Sequence, residues 1–585
     1  MSELEVSPIV YEVNFEKDEI ESVEDYIKVK DMTYILDYPT VYIVNDVNKS
    51  NEYTVYVGET TNIKRRTIEH IEADIKERKD WHKFVESKKS KMLIIGHKYF
   101  NKSLTLDIEN RLMQYLSSVE QIKKVNNRRT NQQNKYYTFD MFEKIFSDIW
   151  EELRSKNKEL FPDKKTVQDS ALFKASPFHK LTEEQLKAKN SIILKIEEAL
   201  TRNQNGQLIL VGGEAGSGKT VLMSSLFYEL SQLAQTDENF LFKNITYKLL
   251  VNHDQQLLVY EQIALKLGII NANNLDAVSK PTRFINNNSP KEKIDVVIVD
   301  EAHLLWTQGK QSYRGQNQLQ DLLERAKIVV AVFDENQILS REQYWEREEI
   351  LQMFHDANFE RNYIHLENQM RINASATTVK WIRTLIDRKR IGQLPMDEKG
   401  YEVRIFDSPK DMQNAIIKKS QSKESSLSRM LATFDWKYID RKKDEDGNPW
   451  YVQVGDWKMP WNLQTNLTRA EKRKNKDLAW AEQAHTINEV GSTFTIQGFD
   501  LNYAGVIIGP SVKFRDGEIV FDKNASKNKK AIERRTLDSG EKKDVSEQLL
   551  KNELNVLLTR GVNGLYLYAV DPALQQELKR NIYSI

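Results

Sequence analysis

The stretch Gly213-Glu214-Ala215-Gly216-Ser217-Gly218-Lys219-Thr220 constrains this chain more than any other. It satisfies G-x-x-x-x-G-K-[ST] at every fixed position. The apolar run Leu208-Ile209-Leu210-Val211 before it reads as a buried parallel strand. Leu222, Leu226 and Leu230 after it recur every fourth residue, as in a helix with one buried face. Between strand and helix, a loop of Gly213, Gly216, Ser217 and Gly218 curls its backbone N–H groups around a phosphate, and the helix N-terminus adds its positive end. Lys219 then reaches the β- and γ-phosphates of ATP, and the Thr220 hydroxyl holds Mg²⁺. The expected fold class is α/β.

The chain of 585 residues is long enough for several domains. It has no cysteine, which excludes disulfides, thiolate metal sites and a cysteine nucleophile. The acidic start Met1-Ser2-Glu3-Leu4-Glu5 argues against a signal peptide, and no apolar run approaches the ~18 residues of a membrane span. A cytoplasmic protein without a membrane partner is expected. Basic and acidic residues balance at 86 each, so a nucleic-acid binder of this composition has to concentrate its positive charge locally.

Residues 1–135 read as a small domain. Thr40-Val41-Tyr42-Ile43-Val44 and Tyr53-Thr54-Val55-Tyr56-Val57-Gly58 are β-like runs joined by a polar turn, a hairpin pattern. Asn62 to His70 reads as a helix on which Arg66 and His70 share a face. Leu106 to Leu116 is a second amphipathic helix, leading to Val125-Asn126-Asn127-Arg128-Arg129. This arrangement resembles the GIY-YIG nuclease family. The family's two tripeptides fall on Thr40-Val41-Tyr42 and Tyr56-Val57-Gly58, its arginine on Arg66, its metal-ligand glutamate on Glu109 and its asparagine on Asn126 or Asn127. The resemblance implies phosphodiester hydrolysis with one divalent ion, Mg²⁺ or Mn²⁺, on Glu109. Tyr42 and Tyr56 would orient or deprotonate the attacking water, Arg66 would neutralise the phosphate, and His70 joins the catalytic set. A single carboxylate completed by waters is a normal Mg²⁺ site, and a guanidinium fork matches a phosphate bidentately. Taken singly, strand tyrosines and a helical glutamate are ordinary structural residues; their joint spacing carries the resemblance. Thr40 departs from the family's glycine. Activity survives if that glycine only eases strand packing, and weakens if it clears room for DNA.

Residues 136–175 form a connector. Phe139, Phe142, Ile145, Phe146, Ile149, Trp150 and Leu153 recur at helical spacing, as in a packed helix ended by Phe161-Pro162.

From residue 176 a series of motifs follows. Ser176 to Gln185 resembles the adenine-reading motif of helicases, in which the Gln185 carboxamide offers a donor and an acceptor to the base, while Thr182 equally suits a helix N-cap. The strand Tyr247 to Val251 leads into Asn252-His253-Asp254-Gln255-Gln256, a polar loop where motor proteins contact a nucleic-acid backbone. Val296 to His303 is an apolar strand delivering Asp300, to hold Mg²⁺ through water, and Glu301, to polarise the attacking water. Ile328 to Asp334 leads to Gln337 and resembles the γ-phosphate sensor of superfamily 1 helicases. Leu366-Glu367-Asn368-Gln369-Met370-Arg371 resembles the motif whose arginine crosses the domain cleft. Phe494 to Asp500 resembles the motif that couples nucleotide to strand, and Arg560 matches an arginine finger. In this order the motifs resemble a superfamily 1-type helicase, nearest to Schlafen group-three-like domains. The resemblance implies two RecA-like lobes, 176–360 and 361–585, with ATP in the cleft between them.

Two insertions interrupt the second lobe. Residues 436–480 hold Trp436, Trp450, Trp457, Trp461 and Trp480 beside Arg441-Lys442-Lys443 and Lys472-Arg473-Lys474. Such a segment either stacks bases along a strand or forms the core of a small subdomain. Residues 512–548, charged around Asn524 to Arg535, read as an exposed loop. The expected whole is an ATP- and Mg²⁺-dependent nucleic-acid motor with an N-terminal nuclease, acting on DNA, or RNA, in defence against foreign DNA or in repair. The alternatives are an ATP-gated nucleic-acid switch that never translocates, and a motor whose inactive nuclease domain serves for docking.

Overall fold

The computed structural model describes residues 6–582 except 75–78, 127–132, 134, 214–215, 236–238, 272–273, 310–311, 368–370, 441, 477 and 538–539. Expectations for Asn127, Arg128, Arg129, Glu214, Ala215, Asn368, Gln369, Met370 and Arg441 therefore lie outside the described residues. The chain divides into two compact units: Met1–Thr182 with Ser224–Asp237 and Val259–Val278, and the remainder.

The first unit is built on a five-stranded sheet in the order β1-β4-β2-β3-β5, where β1 is Ile9–Asn14, β2 Thr40–Val47, β3 Tyr53–Thr60, β4 Lys91–Gly96 and β5 Ile122–Asn126. The hairpin of β2 and β3 is antiparallel and places Tyr42 opposite Gly58 and Val44 opposite Tyr56. Tyr42 and Tyr56 thus lie on one face of the sheet, because side chains alternate along a strand. A Cβ on Gly58 would stand 2.5 Å from the Tyr42 hydroxyl, so that position needs glycine. The helix Lys102–Ser118, N-capped by Asn101, carries Glu109. The connector sequence folds as the helix Phe142–Lys156, whose apolar stripe is buried, and Phe146 and Trp150 pack their rings on Tyr115. In the same unit Lys266 donates to the Ser117 and Val119 carbonyls, satisfying the C-terminal end of the Glu109 helix.

The second unit holds two further sheets. One has the order β11-β6-β10-β9-β7-β8, with β6 Gln207–Gly213, β7 Tyr247–Val251, β8 Val278–Ser279, β9 Ile294–Asp300, β10 Ala326–Val332 and β11 Tyr363–Leu366. Its registered pairs are all parallel. The β-branched runs of β9 and β10 are buried throughout their central residues, as strands covered on both faces must be. The other parallel sheet has the order β12-β22-β17-β13-β16, with β12 Glu402–Ile405, β13 Arg429–Ala432, β16 Val490–Gly491, β17 Leu501–Ile508 and β22 Gly561–Ala569. The α/β class expected from the sequence is the class observed. Among the described residues no helix is long and apolar enough to cross a membrane.

The tryptophan-rich insertion forms the hairpin of β14 (Tyr451–Val454) and β15 (Trp457–Pro460). Trp450, Trp461 and Trp480 are buried, and Trp450 and Trp461 belong to the same core as Met430 and Ile507. Core packing describes those three side chains, but Trp450 and Trp461 join the core of the lobe's own sheet and not that of a separate subdomain.

The expectation of an exposed loop over 512–548 is corrected. The segment forms two small hairpins, β18 (Val512–Arg515) with β19 (Glu518–Phe521) and β20 (Arg535–Thr536) with β21 (Lys542–Lys543). Ala531 and Val545 share a core with Val297 and Val329, and buried Arg535 donates to Thr307 and to the Arg341 and Tyr344 carbonyls. A guanidinium can be buried there because backbone carbonyls of the first lobe accept its N–H groups.

Candidate nucleotide cleft, strand groove and N-terminal cluster

In the second unit the phosphate loop lies at the C-terminal end of β6, where parallel α/β sheets bind ligands. Gly213, Gly216 and Gly218 have φ of 146°, 94° and 78°. A Cβ on Gly216 would stand 2.3 Å from the Arg371 Cβ, so only glycine lets that arginine close on the loop. Lys219 is buried and donates to the Gly213 carbonyl at 2.7 Å, with the Asp334 carboxylate 3.9 Å away. Burial lowers its pKa and Asp334 opposes that shift, with further support from Glu301 and Asp300. Thr220 begins the helix Lys219–Leu233 beside it.

Asp300 and Glu301 end β9. Asp300 Oδ1 accepts from the Glu301 N–H at 3.0 Å and Oδ2 from Gln256 Nε2 at 2.7 Å. Glu301 adopts φ 53°, ψ 48°, a left-handed conformation uncommon for a side-chain-bearing residue and concentrated at functional sites. Its Oε2 lies 3.2 Å from His303 Nε2. Burial holds His303 below the usual histidine range, so the ring is neutral at pH 7. Asp300 and the Thr220 hydroxyl form a hard oxygen donor set of the kind Mg²⁺ takes.

The second lobe closes on this site. Arg560, fully buried, donates from Nε to the Val556 carbonyl at 2.8 Å and from Nη2 to Gln337 Oε1 at 3.2 Å. Gln337 in turn donates to Asp334 at 2.7 Å. Burial pushes the Arg560 guanidinium down to about 9, which leaves it protonated at neutral pH. Arg371 pairs with Asp500 at 2.6 Å. Arg560 Nη1 and Arg371 Nη1 are both buried without a hydrogen-bond partner among the described residues. Gln185 is buried over the loop and donates to the Ser217 carbonyl at 3.2 Å, so its donor group faces the phosphate loop. The sequence reading did not name Gln256, His303 or Asp500 as site residues. All three lay inside the motifs, but nothing in a linear sequence says which side chain of a polar loop turns toward a charged partner.

A groove of about 1290 Å³ runs over both lobes. The loop Asn252, His253, Asp254 and Gln255 lines it from one lobe, with Lys280 and Trp306. Phe434, Tyr438 and Phe494 line it from the other, with Lys437, Lys527, Lys529 and Lys530. Lys530 Nζ lies 4.7 Å from the Phe494 ring centre. Neutral overall, the chain thus gathers five lysines and four aromatics around one channel.

The first unit brings Tyr42, Tyr56, Arg66, His70 and Glu109 near one another. The Tyr42 hydroxyl is 2.7 Å from His70 Nε2, and His70 Nδ1 is 2.6 Å from Asp74 Oδ2. The rings of Tyr42 and Tyr56 stack with centres 6.0 Å apart, and Trp81 stacks on His70 at 3.9 Å. Burial, then the neighbouring Tyr56, raises Tyr42 well above the usual phenol range, while Arg66 opposes the shift and Glu109 adds to it. Arg66 reaches Glu69 at 3.1 Å and Asp74 at 3.5 Å. Asp74 and Trp81 were not named from sequence: the helix ends at Glu69, and a wider turn over His70–Asp74 brings the aspartate under the ring. Thr40 is fully buried on the same face of β2 as Tyr42, its Oγ1 3.5 Å from the Thr60 carbonyl. Among the described residues no three potential metal ligands cluster. A metal on Glu109 fits only as a single-carboxylate site completed by water and phosphate.

Comparison with known proteins places the chain in a family. The family model described as Schlafen group 3, DNA/RNA helicase domain, matches residues 206–571. An uncharacterized protein of Saccharomyces cerevisiae is 34% identical over 409 residues, covering 64% of this chain and 84% of its own length. On the match across the phosphate loop, both parallel sheets and Arg560, the chain belongs to the Schlafen group 3 DNA/RNA helicase domain family.

Proposed function

We propose that this protein is an ATP-driven motor that holds a nucleic-acid strand in the groove and cuts nucleic acid with its N-terminal domain. The observation that carries the motor reading is the set of buried guanidinium N–H groups, on Arg560 and Arg371, without hydrogen-bond partners among the described residues and close to Lys219 and Asp334. An unsatisfied buried donor is costly, and a γ-phosphate supplies the oxygens that repay it. In this reading Lys219 and the loop amides take the β- and γ-phosphates, and Gln185 reads the adenine. Thr220 and Asp300 would hold Mg²⁺, which supplies charge neutralisation at those phosphates when bound. Glu301, beside neutral His303, orients the attacking water. Gln337 senses the γ-phosphate and Arg560 stabilises the charge that develops as it leaves. Because Arg560 belongs to one lobe and Lys219 to the other, ATP bridges the two lobes, and hydrolysis weakens that bridge. Groove aromatics stack bases while the lysines follow the backbone.

For the N-terminal domain we infer GIY-YIG-type cleavage. His70, oriented by Asp74, takes the Tyr42 proton as Tyr42 takes one from the attacking water. Arg66 binds the phosphate, and Glu109 would hold the divalent ion. A role against foreign DNA suits a motor and nuclease in one chain. The test is incubation with single-stranded, duplex and forked DNA and RNA, with Mg²⁺, with and without ATP. Strand separation that needs ATP supports the motor, whereas ATP binding without it favours a switch. The absence of metal-dependent cuts on every substrate would leave the N-terminal domain a docking module.

A further inference from the structure

Gln256 stands where the strand groove meets the ATP site. Its side chain is 7% exposed and donates from Nε2 to the Asp300 carboxylate at 2.7 Å. Its other carboxamide atom, Oε1, is buried without a hydrogen-bond partner among the described residues. The four residues before it, Asn252 to Gln255, all line the groove, and its own N–H lies 3.4 Å from Nδ1 of His253. From the second lobe, Gly498 comes so close that a Cβ there would stand 3.4 Å from Gln256 Oε1. The residue before that glycine, Gln497, lines the groove and donates to the carbonyl of the sensor residue Gln337 at 3.3 Å. One carboxamide therefore touches the carboxylate assigned to Mg²⁺ and is boxed in by groove segments of both lobes.

We propose that Gln256 is the positioning residue through which a strand in the groove strengthens the binding of Mg²⁺ and nucleotide at Asp300. The proposal rests on the motor reading above. A strand that contacts Asn252 to Gln255 fixes the first turn of the helix Asp254–Lys266, and with it the direction in which Gln256 presents its carboxamide. The Nε2 donor then holds the Asp300 carboxylate in one rotamer, and Oε1 is placed to accept from water bound beside it. A carboxamide suits both tasks because it offers a donor and an acceptor from one rigid plane. Without a strand nothing on the groove side supports that turn, and the hold of Gln256 on Asp300 is weaker. Gln256 touches no reacting atom in this scheme; it acts through Asp300.

Linkage gives the test: if a strand strengthens nucleotide binding, nucleotide strengthens strand binding by the same factor. The probes are a fluorescent non-hydrolysable ATP analogue with Mg²⁺ and a single-stranded oligonucleotide, each titrated into the full-length protein alone and in the presence of the other. For the wild type we expect a coupling factor of about tenfold, within the usual allosteric range. Gln256→Met keeps the length and apolar packing of the side chain but can neither donate nor accept. It should bring the factor to about one while changing neither oligonucleotide affinity alone nor metal-free nucleotide affinity more than about twofold. Gln256→Asn, too short to reach Asp300 in the same pose, should do the same, and thermal melts establish that both variants fold. Wild-type coupling retained in both folded variants overturns the proposal. So does a wild type that binds both probes independently, although the motor reading then survives. A wild type that binds neither probe removes the motor reading and the proposal with it.

Discussion

Arg560→Met tests the cleft most directly. Methionine fills much of the same buried volume without a charge, which avoids the cavity an alanine would leave. In the native protein the guanidinium is held by Val556 and Gln337, and Nη1 has no hydrogen-bond partner among the described residues. Its placement is thus complete before ATP arrives, and its interaction with the phosphate costs little further ordering. An arginine finger so placed contributes on the order of 10³ in rate, about 4 kcal/mol. Stability should move little, because the substitution removes two hydrogen bonds and also one buried unpaired donor, terms of about 1–3 kcal/mol that oppose each other. The assays are phosphate release with single-stranded oligonucleotide, nucleotide binding by fluorescence, and a thermal melt. We expect hydrolysis to fall about a thousandfold while ATP affinity and melting temperature stay near wild type. Hydrolysis within about tenfold of wild type would refute the reasoning, and so would a collapse of ATP affinity with normal residual turnover, which would make Arg560 a binding residue.

Lys219→Ala should abolish strand-stimulated phosphate release, since the other cations of the cleft, Arg371 and Arg560, are tied to Asp500 and to Gln337 and Val556; turnover near the wild-type rate contradicts this. Glu109→Gln keeps the shape of the side chain and loses its charge, so metal-dependent cleavage should disappear with ATP hydrolysis intact. Undiminished cutting by that variant would place the nuclease site elsewhere. A pH effect follows from the acidic pair behind the groove wall: burial and then Asp435 push Glu553 up to about 7, and burial pushes Asp435 up to about 6. Between about pH 4 and 7 the folded protein therefore holds more protons than the unfolded chain, and these groups stabilise it less as pH rises through that window. Glu553→Gln should flatten that dependence in thermal melts from pH 5 to 8, and an unchanged slope would count against a protonated Glu553.

Much of the site was readable because its residues sit in local patterns. Strand, loop and helix around Gly213 to Thr220 form one contiguous supersecondary unit, and apolar β9 ending in Asp300-Glu301 is another. Their order along the chain implied parallel sheets, as observed in β6, β9 and β10. The partners of those residues were not readable. Gln256 meets Asp300, and Arg560 meets Gln337, across long stretches of sequence. Asp74 reaches His70 only because the helix widens after Glu69, a change of pitch that no apolar periodicity announces. Composition misled over 512–548, because a lysine- and glutamate-rich stretch looks solvated. Ala531, Arg535 and Val545 are nevertheless buried, since alternate positions of a charged segment suffice to pack it when backbone carbonyls accept the arginine.

The sequence by itself determined which chemistry the chain carries. Phosphate loops and buried strands depend on short-range backbone geometry and on local spacing, and both are written in neighbouring residues. The tertiary structure decided which side chains that chemistry uses together. It turned the tryptophans Trp450, Trp461 and Trp480 into core, gathered five lysines of a neutral chain around one groove, and left guanidinium N–H groups of Arg371 and Arg560 without hydrogen-bond partners among the described residues. Burial, a missing partner and the distance between two lobes are properties of packing, and they come into being only when segments remote in sequence are brought together.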